Sequence, residues 1–259
     1  MIIERRRKRD RERELAAELV RLKVDLIVTT GPTVTRAVKE ATFTIPIVMA
    51  QDGDPVASGF VASLARPGGN ITGLILAPEI SGKRLQLLKQ IVPKLSRVAV
   101  VGSSTQPGNA HAVKETELAA AAFGVKLQYL NVLVPKDIES AFRAAGNDHA
   151  DGLLVLQSPV VNSQRTEVAD LAAKSRLPGI FPQSEYAKAG GLMYYGVNTV
   201  ELFRRAAIYV DKILKGVKPS DLPIEQPTKF DLVINLKTAK QIGLTIPPNV
   251  LARADKVIK

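Results

Sequence analysis

The sequence contains no cysteine, and this absence excludes disulfide bonds, thiolate nucleophiles and cysteine-ligated zinc. Long apolar runs are missing too, since Val98–Val101 and Leu153–Leu156 fall far short of the roughly 18 apolar residues that a membrane-spanning helix needs. The first three residues are followed at once by charge, with no apolar segment of about 7 to 15 residues and no small-residue cleavage site. The chain as written is therefore expected to carry neither a membrane span nor a secretion signal.

Catalytic and metal-binding patterns are scarce as well. The two histidines, His111 and His149, lack metal-ligand spacing and lie in polar segments that we predict to be exposed. No Gly-x-Ser-x-Gly elbow supports a Ser-His-Asp triad, and no Gly-x-Gly-x-x-Gly follows a predicted strand. Residues 81–84 resemble a phosphate-binding loop only faintly, because two of its required residues are replaced. We therefore expect no enzyme activity, no metal and no cofactor.

What the sequence has in excess is positive charge: 36 Lys and Arg against 25 Asp and Glu give a net charge of +11. Residues 4–13 hold seven cations and three anions, so this run supplies +4 of the total. Clustered cations can neutralise the phosphates of nucleic acid. A solvated start of a helix is the simpler interpretation, because no stacking aromatic residue and no helix-turn-helix pattern lies beside the run. Nucleic acid is therefore not the favoured partner.

The 259 residues, 46% of them hydrophobic and 24% charged, have an ordinary globular composition and suffice for two modest domains. Short apolar runs alternate with segments of helical periodicity, which predicts an α/β protein with parallel sheets in two doubly wound lobes. Strands are predicted at 24–29, 45–50, 71–75, 97–101, 125–132, 152–156, 179–182, 191–195 and 230–236. One helix is predicted between a cap at Asp54 and a breaker at Arg66. The other predicted helices have caps or breakers at Pro32, Ser81, Gly124, Asp137, Gly146 and Gly216. The tail after Ile246 is expected to be irregular.

Polar loops of small residues follow several of the predicted strands, and open parallel sheets bind ligands at the carboxyl ends of their strands. Thr30, Gly31 and Thr33 lie at a predicted helix N-terminus, where backbone N–H groups and the helix dipole favour a carboxylate. Thr30 or Gly31 would also serve as the ordinary N-cap of that helix. The candidate ligand-binding residues of these loops are Thr29, Thr30, Gly31, Thr33, Asp52, Ser103, Gln157, Ser158, Tyr186 and Tyr195.

Two of these side-chain types have specific uses. Asp52 is a candidate partner for a ligand ammonium group, whereas Asp54 is expected to cap the helix that follows it. A tyrosine ring would pack on an apolar part of a ligand. Tyr194 and Tyr195 would point to opposite faces of a strand, so at most one of them would contact a ligand.

Several longer segments form a characteristic set when they are taken together and in order. They are Asp25–Gly31, Ile45–Met49, Gly53–Val56, Leu64–Leu74, Ser81–Leu88, Pro93–Val100, Gly190–Gly196, Asn198, Phe203–Ala207, Gln226–Asn235 and Leu251–Asp255. In this combination they resemble the bacterial ABC-transporter substrate-binding proteins of the tryptophan/tyrosine type. The similarity extends from about Glu14 to the end of the chain.

The resemblance implies a type I periplasmic-binding-protein fold, in which two Rossmann-like lobes joined by three crossovers close on a small solute. With crossovers near Leu76, Val197 and Lys229, the first lobe would comprise residues 1–76 and 197–228 and the second lobe residues 77–196 and 229–259. The implied function is the substrate-binding component of an ABC importer, which delivers its solute to permease and ATPase subunits from the periplasm or the cell surface.

The solute implied by the resemblance is an amino acid or a similar small carboxylate. In that interpretation Thr30, Gly31 and Thr33 hold the carboxylate and Asp52 the ammonium group. The remaining contacts in the cleft would come from Gln157, Tyr186, Tyr195 and Asn198.

The sequence departs from the family at its front, where an export signal and a first strand–helix unit are usual. Residues 1–4 resemble the second strand, so we expect an incomplete first lobe, from truncation or a misplaced start codon, and a chain that would stay cytoplasmic as written. A sheet that lacks an interior strand exposes an edge and apolar faces, which predicts poor solubility.

Two other functions remain open at this point. The same two-lobed fold serves as the effector core of transcription regulators, for which the basic residues 4–13 would be the remnant of a DNA-binding arm. A cytosolic α/β enzyme is the second alternative, because a fold does not determine a function.

Overall fold

The computed structural model describes residues 2–76, 80–106 and 108–259, with the backbone alone for residues 2–9. The chain divides into two compact units. We call Met1–Pro78 with Val197–Lys229 the first unit, and Glu79–Gly196 with Phe230–Lys259 the second unit.

Helices and strands alternate along most of the described chain. In chain order the elements are α1 (Ile2–Arg21), β1 (Ile27–Thr30), α2 (Pro32–Ala41), β2 (Ile47–Asp52), β3 (Ile71–Ile75), α3 (Ser81–Ile91), β4 (Arg97–Gly102), α4 (Asn109–Phe123), β5 (Lys126–Asn131), α5 (Asp137–Asn147), β6 (Gly152–Val155), α6 (Pro159–Ser163), α7 (Arg165–Lys174), β7 (Gly179–Phe181), α8 (Glu185–Lys188), β8 (Met193–Val197), α9 (Thr199–Leu214), a 3₁₀ turn (Pro219–Asp221), β9 (Phe230–Asn235), α10 (Leu236–Gln241), α11 (Pro248–Leu251) and β10 (Lys256–Ile258).

The first unit is built on a parallel sheet in the order β1-β2-β3. The side chains of β2 alternate between two cores: Ile47 and Met49 pack on the side of α2, whereas Val48 and Ala50 pack with Tyr209 and its neighbours on α9. A central parallel strand covered on both faces reads as a continuous apolar run, and the sequence of β2 has that form. Among the described strands β1 pairs with β2 alone, and Val28 in β1 is 47% exposed.

The second unit is built on a larger sheet in the order β10-β9-β8-β7-β6-β4-β5, and the strand pairs with a defined register run parallel. The side chains of β4 also alternate between two cores: Val98 and Val100 belong to one buried cluster, and Ala99 and Val101 belong to the other. Helices therefore cover both faces of this sheet. The predicted α/β class with parallel sheets is confirmed.

The predicted strand at residues 1–4 is wrong for residues 2–4, which belong to helix α1; Met1 lies outside the described residues. Ile2 and Ile3 favour a strand, but the straight-chain Arg, Lys and Glu residues that follow are good helix formers. The helix is stabilised on α2 through its last three turns, where Ala16 is buried and Leu19 packs on the core. Local preference and tertiary packing thus extend one helix through the whole charged run.

The helix predicted between Asp54 and Arg66 is also wrong. Asp54 does act as a cap, since its carboxylate accepts hydrogen bonds from the N–H groups of Val56 and Ala57 at 2.9 and 3.0 Å. The turn stops at Gly59, whose φ of +68° lies outside the helical region, and residues 60–70 form no regular element. Only the start signal of a helix was present in this segment.

Three smaller expectations also change. The tail after Ile246 contains α11 and β10, because β10 pairs with β9 and the carboxylate of Asp255 accepts a hydrogen bond from Leu232 N at 2.8 Å. Ser81 and Asp137 are the first residues of their helices, and the N-cap positions belong to Ile80 and Lys136.

Across the part of the chain that is described, no helix combines the length and the apolarity needed to cross a bilayer.

Candidate functional site

The carboxyl end of the first sheet brings two of the predicted site residues, Thr29 and Asp52, into one buried hydrogen-bonded group. The hydroxyl of Thr35, on the first turns of α2, donates to Asp52 Oδ2 at 2.5 Å and lies 2.8 Å from Thr29 Oγ1. Asp52 Oδ1 accepts a hydrogen bond from Gly53 N at 2.7 Å. This group ties the ends of β1 and β2 to helix α2 and thereby fixes the loop between them.

Asp52 is a charged group in an enclosed place, with 1% of its surface exposed. Burial raises the pKa of its carboxyl group, and the hydrogen bonds from Thr35 and Gly53 offset part of that rise. Within the described residues no lysine, arginine or histidine forms an ion pair with it. The first unit thus holds a carboxylate with hydrogen-bond donors but without a counter-charge.

The N-terminus of α2 is the second feature at this end of the first sheet. Gly31 is its N-cap, with φ 82° and ψ 151°, and no side chain caps the helix. Thr30 and Thr33 are exposed on either side of the half-buried Gly31 and Pro32. The backbone of this loop is held by a hydrogen bond from Gly31 N to the carbonyl of Gln51 at 2.7 Å. An uncapped N-terminus with a fixed backbone offers N–H groups and the positive end of the helix dipole to an anion.

Ser103, Gln157 and Ser158 follow β4 and β6, which are neighbours in the second sheet. The Ser103 side chain lies 3.0 Å from the Thr105 hydroxyl and is 3% exposed. Ser158 is fully buried and caps α6, whereas Gln157 is half-buried. The two serines therefore shape their loops, and Gln157 presents the accessible polar side chain.

The prediction that the Tyr186 side chain borders a ligand is not supported by its position. Its ring is fully buried in the core of the second unit, stacked on Phe181 with ring centroids 4.8 Å apart, and its hydroxyl donates to Asn162 Oδ1 at 3.0 Å. Burial raises the pKa of its hydroxyl above the ordinary range. Its buried surroundings make this tyrosine a core residue. The sequence of the short helix α8 does not reveal those surroundings.

Tyr194 and Tyr195 differ in exposure, as expected for consecutive strand residues. Tyr194 is buried, and burial raises the pKa of its hydroxyl to about 12. Tyr195 is half-buried and stacks on Phe230 with ring centroids 5.7 Å apart. Of the two, Tyr195 is the one with surface to offer a ligand.

Asn198 begins α9 in the first unit. Its Oδ1 accepts a hydrogen bond from Glu201 N at 3.0 Å, so it is the N-cap of that helix. The side chain is half-buried.

Sequence reasoning missed two buried polar residues, Thr35 and Arg84. Thr35 completes the group around Asp52. Arg84, on the first turn of α3, is 6% exposed, and its Nε donates to the carbonyl oxygen of Tyr195 at 2.8 Å. Burial lowers the pKa of its guanidinium to about 10, although Tyr194 and Tyr195 partly oppose the shift. A signal was present in the sequence: Arg84 shares a helix face with Leu88 and Ile91 at i+4 and i+7, where a charged residue is unusual.

Both histidines are exposed, as predicted, and His111 Nε2 lies 3.1 Å from the carboxylate of Glu115 one helical turn further on. Within the ranges that the structure describes, no three His, Cys, Asp or Glu side chains are grouped so that they could hold a metal ion.

Comparisons with known proteins agree with one another. A family model described as ABC transporter substrate binding protein matches residues 9–258. A tyrosine-binding protein from Clostridioides difficile (strain R20291) is 25% identical over 230 residues, which cover 89% of this chain and 66% of that protein. The chain therefore spans slightly less than two thirds of the length of this relative.

Two solved structures are similar over nearly the whole chain. A conserved domain protein from Vibrio cholerae O1 biovar El Tor superposes with a TM-score of 0.86 and 29% identity, covering 96% of this chain and 83% of that one. An ABC domain in complex with L-Trp from Streptococcus pneumonia also has a TM-score of 0.86, with 25% identity, and covers 96% of this chain and 84% of its own.

Proposed function

The chain belongs to the family of ABC transporter substrate binding proteins, and from that premise we propose that it binds an aromatic amino acid and delivers it to the permease of an ABC importer. Two similar proteins support this choice of solute, since one is described as tyrosine-binding and the other as a complex with L-Trp. The family is one of solute-binding proteins, and its fold is the type I periplasmic-binding-protein fold that the sequence predicted.

The observation that carries the proposal is the pairing, in the first unit, of an uncapped helix N-terminus with a buried carboxylate that lacks a counter-charge. An amino acid carries one group for each: its carboxylate would accept hydrogen bonds from the start of α2, and its ammonium group would offset the charge of Asp52. Burying a charge is costly unless it is paired or hydrogen-bonded, so a bound ammonium would lower the free energy of this site.

We assign direct contacts with the solute to residues that have either accessible surface or an uncompensated charge. They are Thr30, Gly31, Thr33, Asp52, Gln157, Tyr195 and Asn198. Thr29, Ser103 and Ser158 hold the loops in place, and Tyr186 supports the core. For the two lobes we propose the boundaries predicted from the sequence, which are residues 1–76 with 197–228 and residues 77–196 with 229–259.

The partners follow from the family. We propose that the protein works on the outer side of the membrane with a permease and an ATPase, and that it performs no chemical conversion of its solute. Ligand binding would act by favouring one of two conformations, which the permease distinguishes.

Isothermal titration calorimetry with L-tyrosine, L-tryptophan and a panel of aliphatic and acidic amino acids tests the proposal. We expect binding of the aromatic amino acids and a loss of affinity of about tenfold for Gln157→Ala, if its side chain makes one direct polar contact. Gln241→Ala is the matched control, because Gln241 is exposed at the far end of α10. Absence of binding by every amino acid would overturn the proposal.

A further inference from the structure

The hydroxyl group of Thr35 lies at the centre of the hydrogen-bonded group in the first unit. Its Oγ1 lies 2.5 Å from Asp52 Oδ2, 2.8 Å from Thr29 Oγ1 and 3.2 Å from the carbonyl oxygen of Gly31. Thr35 and Thr29 are 0% and 1% exposed. The three neighbouring oxygens belong to the last residues of β1 and β2 and to the N-cap of α2. One enclosed hydroxyl group therefore contacts each of the chain ends to which we assign the amino-acid head group.

This hydroxyl group can donate only one hydrogen bond, because it carries one proton and two lone pairs. Thr35 therefore donates either to Asp52 or to the carbonyl of Gly31, while it accepts from Thr29. Asp52 Oδ2 is the closer acceptor, and a hydrogen bond to an ionised oxygen is roughly twice as strong as one between neutral groups. The carbonyl of Gly31 already accepts the backbone N–H of Thr35 at 3.2 Å. The proton of Thr35 is thus directed to Asp52 as long as that carboxylate is ionised.

Asp52 depends on this proton because it has few other donors. Gly53 N donates to the second oxygen, Oδ1, at 2.7 Å, and no cation among the described residues forms an ion pair with Asp52. Burial raises the pKa of the Asp52 carboxyl group, and the bond from Thr35 lowers it more than the bond from Gly53 does. Without the hydroxyl group the carboxylate would take up a proton more readily, and a neutral carboxyl group attracts an ammonium group only weakly.

We propose that Thr35 is a specificity-determining residue of the first unit, which keeps the Asp52 carboxylate charged and oriented for the ammonium group of the solute. Thr35 is a positioning residue, because it acts through Asp52 and does not itself contact the solute. The inference rests on the proposed function and narrows it: the ammonium group becomes a condition for tight binding beside the aromatic ring. An analogue that keeps the ring and the carboxylate but lacks the ammonium group should bind weakly.

The test compares two ligands that differ in the ammonium group alone, L-tyrosine and 3-(4-hydroxyphenyl)propionate. Isothermal titration calorimetry measures their affinities for wild type, Thr35→Val and Thr35→Ser. We expect wild type to prefer L-tyrosine by about tenfold or more, and the preference to fall to within about threefold in Thr35→Val, because the charge-assisted hydrogen bond is lost. Thr35→Ser keeps the hydroxyl group and should keep the wild-type preference.

Thr42→Val is the matched control, because Thr42 is a second buried threonine at the opposite end of α2. Its Oγ1 accepts hydrogen bonds from the N–H groups of Thr44 and Ile45 at 3.3 and 3.1 Å, so this variant should lose stability and keep the preference for L-tyrosine. Circular dichroism and thermal unfolding identify variants that do not fold. If Thr35→Val is one of them, Thr35→Cys takes its place; a thiol is a weaker donor, so its preference should lie clearly below that of wild type.

Three outcomes would overturn the inference or its premise. If the variant without the hydroxyl group prefers L-tyrosine as strongly as wild type, or if Thr35→Ser loses the preference too, the Thr35 hydroxyl group serves only the fold and the inference is wrong. If wild type binds both ligands equally well, the ammonium group is not recognised and the inference is also wrong, although binding of an aromatic solute stands. If wild type binds neither ligand nor any other amino acid, it is the proposed function that fails.

Discussion

Each unit buries one charged side chain among its described residues, but the two charges have different hydrogen-bond partners. In the first unit Asp52 accepts hydrogen bonds from Thr35 and Gly53, so both carboxylate oxygens have a donor. In the second unit Arg84 donates one hydrogen bond to a main-chain oxygen. A carboxylate can be satisfied by a few small donors, whereas a guanidinium needs several acceptors arranged in a plane. The two buried charges therefore differ in how many of their hydrogen-bonding positions the described residues occupy.

The sheets differ as well. In the part of the chain that the structure describes, no strand pairs with the outer side of β1, and Val28 is exposed. In the second sheet β4, β6, β7 and β8 each have a strand on both sides. In the small sheet Gly73 of β3 has a φ of +131°, and a Cβ added there would meet the backbone of Met49 in β2. The two units can therefore be compared by glycine substitutions in their strands.

The largest expected effect is that of Gly73→Ala in the first unit. An added Cβ would lie 2.2 Å from the carbonyl oxygen of Met49 and 2.5 Å from its nitrogen, and backbone of a central strand cannot move aside. Together with the strained φ, this should reduce the free energy of unfolding by more than about 3 kcal/mol, as measured by urea denaturation.

Gly152→Ala in the second unit is the matched comparison. There the added Cβ would meet side-chain atoms of Leu95 and Leu88 at 2.7 and 3.0 Å, which can shift, so we expect a loss of about 1 to 3 kcal/mol. Gly69→Ala, with no atom within 4 Å, should change stability by less than about 0.5 kcal/mol. Equal losses for Gly73→Ala and Gly152→Ala would contradict the stated difference between the sheets.

The second expected effect is a pH dependence that Asp52 contributes to the first unit. The pKa of the Asp52 carboxyl group is raised above 3.8 in the folded protein, so protonation of this group favours folding. Its contribution to stability is present in full below pH 3.8 and is lost as the pH rises through the raised value. Asp52→Asn removes that titration, so wild type should lose stability relative to the variant as the pH increases.

Urea denaturation at several pH values measures this difference, and hydrogen exchange of β1 and β2 assigns it to the first unit. A difference between wild type and Asp52→Asn that stays constant across the acidic range would show that the carboxyl group is not perturbed by burial.

The smallest expected effect has the opposite sign and belongs to the second unit. The carboxylate of Asp137 accepts hydrogen bonds from the N–H groups of Leu133 and Val134 at 2.9 and 3.0 Å, and these bonds lower its pKa below 3.8. Its contribution is present above pH 3.8 and is lost as the pH falls through the lowered value. Asp137→Asn should therefore be slightly less stable than wild type at neutral pH and match it in strong acid, by the same denaturation series.

Ser140→Ala serves as the control, since the Ser140 hydroxyl bonds only to the carbonyl of Asp137 and carries no charge. A gain in stability of Asp137→Asn at neutral pH would be inconsistent with the two backbone hydrogen bonds.

Much of the fold was predictable because buried strands and amphipathic helices have different apolar periods. The strands around Ile71, Val98 and Leu153 and the helix that ends at Gly124 follow directly from that rule. Errors occurred where a local signal was overruled: Asp54 caps a turn that ends at Gly59, and β10 depends on pairing with a strand more than 20 residues earlier.

The candidate site was predictable in its position more than in its chemistry. Strand-end loops pointed to Gly31 and Asp52, because the carboxyl ends of parallel strands bind ligands. Tyr186 could not be distinguished from a ligand contact, since its burial arises from stacking on Phe181. Arg84 and Thr35 lie inside helices, so a search restricted to the loops that follow strands does not select them.

The sequence by itself determined the α/β class, the alternation of elements and the family, because apolar periodicity and ordered motifs are local properties of the chain. Only the tertiary structure decided which polar side chains are enclosed and what satisfies them. The reason is physical: the free energy of a charge depends on its distance from water and from donors or acceptors brought in by other elements. Thr35 meets Asp52 and Arg84 meets Tyr195 across 17 and 111 residues of chain, and no local pattern encodes such a contact.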